Sequence, residues 1–167
     1  MILGFSTKIS NKPNFFVDKI WSGLIDQKLS SIETCRYFES KREDITPNEF
    51  SIVPHYAPKI HTIRVDANNR WNENRKIDFF INVRTKLMFQ FAPKQWVKSV
   101  QNIEIEYFNN TGKWFKDVVV SIDDRYIDRD EIEKLSKNDG FDSVKDFFDY
   151  FNKNFKGKII HWTNCRY

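Results

Sequence analysis

The run Lys59-Ile60-His61-Thr62-Ile63-Arg64 sets an amine, a hydroxyl and a guanidinium close together at regular spacing. Side chains alternate in a strand, so Thr62 and Arg64 share one face, one pleat apart, with Lys59 at the strand mouth. Thr brings a hydroxyl, Arg a planar fork of donors, and Lys an ammonium whose pKa falls readily on burial. Such a group can hold a phosphate or grip a nucleobase by its polar edge. Beside a carboxylate, the same group can move the protons that amide hydrolysis requires. Spacing alone favours the simpler account, a solvated strand edge with ordinary surface charges.

Other residues extend the list. Arg70 and Trp71 lie in the polar run DANNRWNENR, where an indole beside a guanidinium suits base stacking. Trp96, Trp114 and Trp162 are further aromatic candidates, with Trp162 read as core. Arg84 and Lys86 add positive charge downstream. His161 either lines a cleft or bonds the backbone. Three dispersed histidines, His55, His61 and His161, favour individual roles over a shared metal, so no metal or other cofactor is expected. GxGxxG, Walker, HExxH and GxSxG patterns are all absent, which removes the common nucleotide-binding, metalloprotease and hydrolase templates.

These residues need elements to hold them. Phe16, Ile20 and Leu24 recur at helical spacing, predicting a helix over 14–29 opened by Pro13 or Asn14, with Gly23 its weak point. Residues 30–58 carry no sustained period and three prolines, and read as a long connection with one or two short helical turns, one near 47–52. Strands are expected over 59–65, 77–83, 99–108, 114–123 and 158–163, with a turn at Asn109-Asn110-Thr111-Gly112 and a bulge near Asn102. A short helix from Asp128 or Asp130 to Leu135 follows the fourth strand. A second, capped by Ser143, carries the stripe Val144, Phe147, Phe148, Phe151 and Phe155. This order is α+β without a βαβ rhythm, suited to a small curled sheet or partial barrel.

Composition agrees with one domain over 1–167. A chain of this length buries roughly 68–70% of its extended surface, and 40% hydrophobic residues with 16% aromatics supply a core. No apolar run is long enough for a membrane span, and the N-terminal run is interrupted too early for a signal-peptide core. Two distant cysteines, Cys35 and Cys165, read as reduced thiols of a cytoplasmic protein. The net charge of +4 permits contact with phosphates without demanding it. Its distribution says more: residues 59–98 are basic and 122–149 acidic, so the two regions present different surfaces.

The K-x-x-T-x-R strand, the Arg70-Trp71 region and the C-terminal block LSKNDGFDSVKDFFDYFNKNFKGKIIHWT together resemble the ASCH-domain family of the PUA-like superfamily, over essentially the whole chain. The resemblance implies an α+β fold, a PUA-like small β-barrel with flanking helices and a cleft, tied to RNA or nucleobases. One enzymatic branch is similar to metal-independent amidohydrolases that deacetylate N4-acetylcytidine with a Lys, a Thr and a Glu. Lys59 and Thr62 match the first two, and Asp139 takes the place of the acid, one methylene shorter. About thirty residues, Ile25 to Pro58, intervene where the family runs almost directly from helix to strand. That insertion could lid the cleft, fill it or recruit a protein partner.

The leading expectation is therefore a module that binds RNA, a nucleobase or a modified nucleoside in a basic cleft around the K-x-x-T-x-R strand. Its ligand set would be Lys59, Thr62, Arg64, Arg70, Trp71, Arg84, Lys86 and His161. The alternative is an N-acyl-nucleobase amidohydrolase using Lys59, Thr62 and Asp139.

Overall fold

The computed structural model describes residues 1–43, 56–108 and 118–167. In chain order the elements are β1 (Ile2–Phe5), β2 (Lys8–Ile9), β3 (Lys12–Pro13), α1 (Phe16–Asp26), α2 (Ile32–Glu43), β4 (His61–Arg64), β5 (Lys76–Ile81), β6 (Phe89–Gln90), β7 (Gln95–Trp96), β8 (Ser99–Tyr107), β9 (Val118–Ile122), β10 (Arg125–Tyr126), α3 (Arg129–Asn138), α4 (Val144–Tyr150) and β11 (Phe155–His161). The α+β class holds.

Two sheets carry the fold. In the first, β5 pairs in parallel with β1 and antiparallel with β6 and β7. The second is five-stranded, in the order β10-β9-β8-β11-β4, with every neighbouring pair antiparallel. Among the described residues neither sheet closes into a barrel, because the edge strands β4 and β1 do not pair with one another.

The five-stranded sheet separates two apolar cores. On one face Val100, Ile160 and Trp162 meet α1, α2 and the inner residues Ile77, Phe79 and Ile81 of β5. On the other, Ile63, Ile103, Ile105 and Ile159 meet α3 and α4, where Phe147 is fully buried and Phe148 and Phe151 nearly so. Phe147, Phe148 and Phe151 thus dock as their spacing predicts, but α4 ends at Tyr150, and Phe155, expected on the helix, opens β11. Ser143 caps α4 by accepting the Asp146 amide, and Asp128 with Glu131 forms a reciprocal capping box on α3.

Three expectations need correction, and two lie outside the described residues. Residues 32–43 form a full helix, α2, in place of an irregular connection. Its weak amphipathicity hid it, because it buries little beyond Cys35 and Phe38 against Trp21. The short turn expected near 47–52, and the Asn109–Gly112 turn, lie outside the described residues. No bulge interrupts β8: its register to β11 is continuous through Asn102↔Lys158. The broken alternation is resolved by burying Gln101, which exchanges hydrogen bonds with the Tyr167 backbone at 2.9 and 3.0 Å. The closing strand begins at Phe155, three residues earlier than expected.

Gly23 is a packing requirement in α1. A Cβ there would stand 2.7 Å from the Lys59 carbonyl oxygen, so glycine lets the helix lie directly on the chain entering β4. That entry is tied on both sides: the Lys59 amide donates to the Lys19 carbonyl at 2.8 Å and the Ile60 amide to the Asn138 carbonyl at 2.9 Å.

Candidate functional site

Lys59 enters β4 pinned between α1 and the end of α3, and its side chain is 1% exposed. Its Nζ donates to Asp139 Oδ1 at 2.5 Å and also to the Asp139 carbonyl, while lying 4.6 Å from the centre of the Phe16 ring. Asp139 is the C-cap of α3, and Gly140 follows with φ +87, a left-handed turn that glycine adopts without strain. Burial pulls the Lys59 amine down to about 8 against the pull of the Asp139 charge. Burial likewise raises the Asp139 carboxyl, despite Lys59 and the Ile63 backbone amide. Desolvation outweighs pairing for both partners.

A buried polar chain continues from this pair. His61 Nδ1 stands 3.8 Å from Asp139 Oδ1. His61 Nε2 meets the Tyr167 hydroxyl at 2.7 Å, and that hydroxyl accepts from Asn138 Nδ2 at 2.8 Å. His161 packs edge-on against His61, ring centres 5.2 Å apart, with both nitrogens buried and unpartnered among the described residues. Burial holds both imidazoles well below their ordinary value, His161 at about 4.

The strand's alternation decides the rest. Lys59, His61 and Ile63 point toward α3, whereas Thr62 and Arg64 point to the opposite face. Thr62 is buried there, opposite Ile160 in the register, so its hydroxyl does not join Lys59 and Asp139. Arg64 donates through Nη2 to the Gly4 carbonyl at 2.8 Å and lies over the Phe5 ring at 5.1 Å. Arg64 thereby bridges the edges of the two sheets. Among the described residues Lys59 and Thr62 are buried and Arg64 is half-buried with its Nη2 on Gly4, so the three do not open together onto one concave basic surface.

The other sequence candidates divide by exposure. Trp71 is 7% exposed in the first core, held there as Asp66 accepts the Arg70 and Trp71 amides at 3.0 and 2.9 Å. It is therefore not an exposed stacking platform. His161 lies inside, away from any cleft surface. Arg70, Arg84 and Lys86 are exposed, as is Trp96 at 50%. Trp114 and His55 fall outside the described residues. Among those residues, no three His, Cys, Asp or Glu side chains converge on a point a metal ion could occupy, and no helix is long and apolar enough to cross a membrane. Cys35 and Cys165 are free thiols.

A cleft of about 710 Å³ opens in front of the buried pair. Lys8, Lys12 and Asn14 of the β2–β3 hairpin and its exit line one wall, and Asp142, Asp146 and Tyr150 line the other. Phe16 and Lys19 lie between them. Lys19 is already engaged, donating to the Gly140 carbonyl at 2.8 Å and to Asp142 at 2.6 Å. Phe16 is the partition, facing the cleft on one side and the Lys59 ammonium on the other. Sequence reasoning missed this cleft: residues 6–13 are short, polar and without period, and only the fold sets them against α4.

Comparison of the chain with protein-family models, with curated protein sequences and with solved structures finds no match.

Proposed function

We propose that this chain is a binding module for a nucleobase, presented as a nucleoside or as an unpaired base of RNA, with the ligand in the cleft between the β2–β3 hairpin and α4. The observation that carries the reading is the cleft itself: about 710 Å³, with aromatic rings at Phe16 and Tyr150 between a lysine wall and an aspartate wall. Ligand sites of small molecules span roughly 300–1,000 Å³ and combine apolar surface with a few directed polar groups. Opposed lysines and aspartates supply donors and acceptors for the edge of a neutral polar base, and disfavour a bare polyphosphate. The Lys59–Asp139 pair braces the cleft from behind by fixing Gly140 and Phe16. Under this reading, the Arg64 bridge from β4 to β1 stands in for barrel closure in a PUA-like fold.

Calorimetric titration with cytidine, uridine, adenosine, guanosine and N4-acetylcytidine tests the proposal. Saturable binding to at least one is expected, weakened about 10-fold or more by Tyr150→Ala, the scale of one lost base stack. Absence of binding by all five at millimolar concentration refutes it.

One observation favours a second reading, metal-independent amide hydrolysis on an N-acyl nucleobase. Lys59 carries an amine lowered to about 8 in contact with a carboxylate, one aromatic ring away from the cleft. In that case Lys59 and Asp139 exchange protons with an attacking water and the leaving amine once Phe16 swings aside, and Thr62, on the far face of β4, has no part. Release of cytidine from N4-acetylcytidine that survives Thr62→Ala but not Lys59→Met supports it. No release at high protein concentration leaves binding alone.

A further inference from the structure

The outer face of the first sheet is a second surface, sharing no lining residue with the cleft. Residues 70–98 hold seven basic residues against two acidic ones, and β5 sorts them. Ile77, Phe79 and Ile81 point into the core, so Lys76, Asp78 and Phe80 point outward. The register sets Lys76 opposite Trp96 of β7 and Phe80 opposite Gln90 of β6. Lys76 Nζ lies 4.5 Å from the centre of the Trp96 ring, and the indole is 50% exposed. Phe80 is half-buried on the same face, four residues along the strand from Lys76, about 13 Å at 3.3 Å per residue.

The charges on this face are unequal in their availability. Asp78, the one acidic side chain of β5, is occupied by the Met1 amine at 3.0 Å and Lys94 at 3.1 Å. These cations hold its carboxyl below the ordinary value. Arg75 and Lys98 flank the Lys76–Trp96 pair, Val97 donating to the Arg75 carbonyl, and both are exposed.

We propose that this face is a platform for single-stranded nucleic acid, with Trp96 stacking an unpaired base, Phe80 offering a second ring, and Lys76, Arg75 and Lys98 meeting phosphates. Aromatic rings spaced along a flat sheet and interleaved with cations are what an unpaired strand requires: every base has a stacking face, and the backbone follows the positive charge. Duplex bases are already stacked on one another and would gain nothing from Trp96. A lipid surface would reward a contiguous apolar cluster, whereas the outward residues of β5 alternate Lys76, Asp78 and Phe80. The proposal does not depend on the cleft being occupied.

The test is fluorescence anisotropy of labelled 12-mer oligouridylate and oligodeoxythymidylate across a salt series, with a 12-bp duplex and anionic phosphatidylserine vesicles as parallel arms. Single strands are expected to bind. Trp96→Ala should weaken binding about 10-fold or more while Trp96→Phe keeps most of it, and thermal melts should show both variants folded. Lys76→Ala with Lys98→Ala should reduce the log–log salt slope by about 1.4, roughly 0.7 per phosphate contact on a single strand. Trp96→Ala should leave nucleoside binding in the cleft unchanged, since Trp96 does not line it, which separates this surface from the nucleoside site. Unaltered affinity in Trp96→Ala, tighter binding to the duplex, or binding to vesicles without binding to either oligonucleotide overturns the proposal.

Discussion

Removing one member of the Lys59–Asp139 pair should cost far more than removing both. The two side chains are 1% and 5% exposed and meet at 2.5 Å. Asp139→Leu leaves an ammonium with no counter-charge in a site where burial already pulls Lys59 from 10.5 to about 8. That shift corresponds to about 3 kcal/mol for holding the charged amine inside. Orphaning one partner of a buried pair typically costs about 3–5 kcal/mol, a large part of the 5–15 kcal/mol available to a domain. Lys59→Met leaves the carboxylate buried and should fall in the same range, eased to the extent that Asp139 protonates. Lys59→Met with Asp139→Leu removes both charges together. The Asp139 carbonyl still loses its donor, worth about 1–3 kcal/mol, but the combined variant should stay within about 2 kcal/mol of the parent. Urea unfolding followed by circular dichroism at pH 7 gives all four corners of the cycle. A coupling of about 4–8 kcal/mol is expected, the two single losses less the combined one. Two single variants that each cost under about 1 kcal/mol and add simply would refute the account of a dry, obligatory pair. The pH dependence has a definite sign: the unfolded amine keeps its proton up to about 10.5 and the folded one only to about 8. The penalty is therefore full below pH 8, and parent stability gains from this group as pH rises through that window.

Gly23→Ala should lower stability by about 1–3 kcal/mol despite the better helix propensity of alanine, because its Cβ would meet the Lys59 carbonyl oxygen at 2.7 Å; a rise in melting temperature would contradict this. Burial holds folded His161 at about 4 and lowers His61 in the same direction. The unfolded chain then takes up protons near pH 6.5 while the folded one does not, so stability falls as pH drops from 6.5 toward 4. His161 contributes about 3 kcal/mol of that loss. In His161→Phe this part of the acid limb should vanish from urea midpoints measured between pH 7 and 4; an unchanged limb would show that the imidazole is hydrated.

Much was legible because the signals were local. Strong periodicity marked α1 and α4, alternation marked β4 and β8, and the Asp128 and Ser143 caps marked the starts of α3 and α4. The meeting of Lys59 with Asp139, eighty residues apart, was expected only through the family resemblance, since no local pattern carries it. The helix α2 escaped notice because its apolar burial rests on two side chains, Cys35 and Phe38, too few to impose a period. The apparent bulge in β8 came from reading Gln101 as an outward residue. Only the docking of Tyr167 against it gives a buried amide its hydrogen bonds.

By itself, the sequence determined the helices α1, α3 and α4, the strands β4, β5, β8, β9 and β11, much of the apolar face that each presents, and that positive charge would gather in residues 59–98. Those properties follow from backbone sterics and side-chain period, which act over a few residues. Only the tertiary structure decided exposure, and exposure divides structure from function here. Thr62 is consumed inside and Arg64 is drawn half-buried onto Gly4 and Phe5, because β4 is covered by α3 on one side and meets the first sheet on the other. Trp71 and Trp96 read alike as aromatic residues in polar surroundings. One is drawn into the core by the grip of Asp66 on two amides, while the other is left outside, because β5 turns Ile77 inward and its neighbour Lys76 outward with Trp96 as its cross-strand partner.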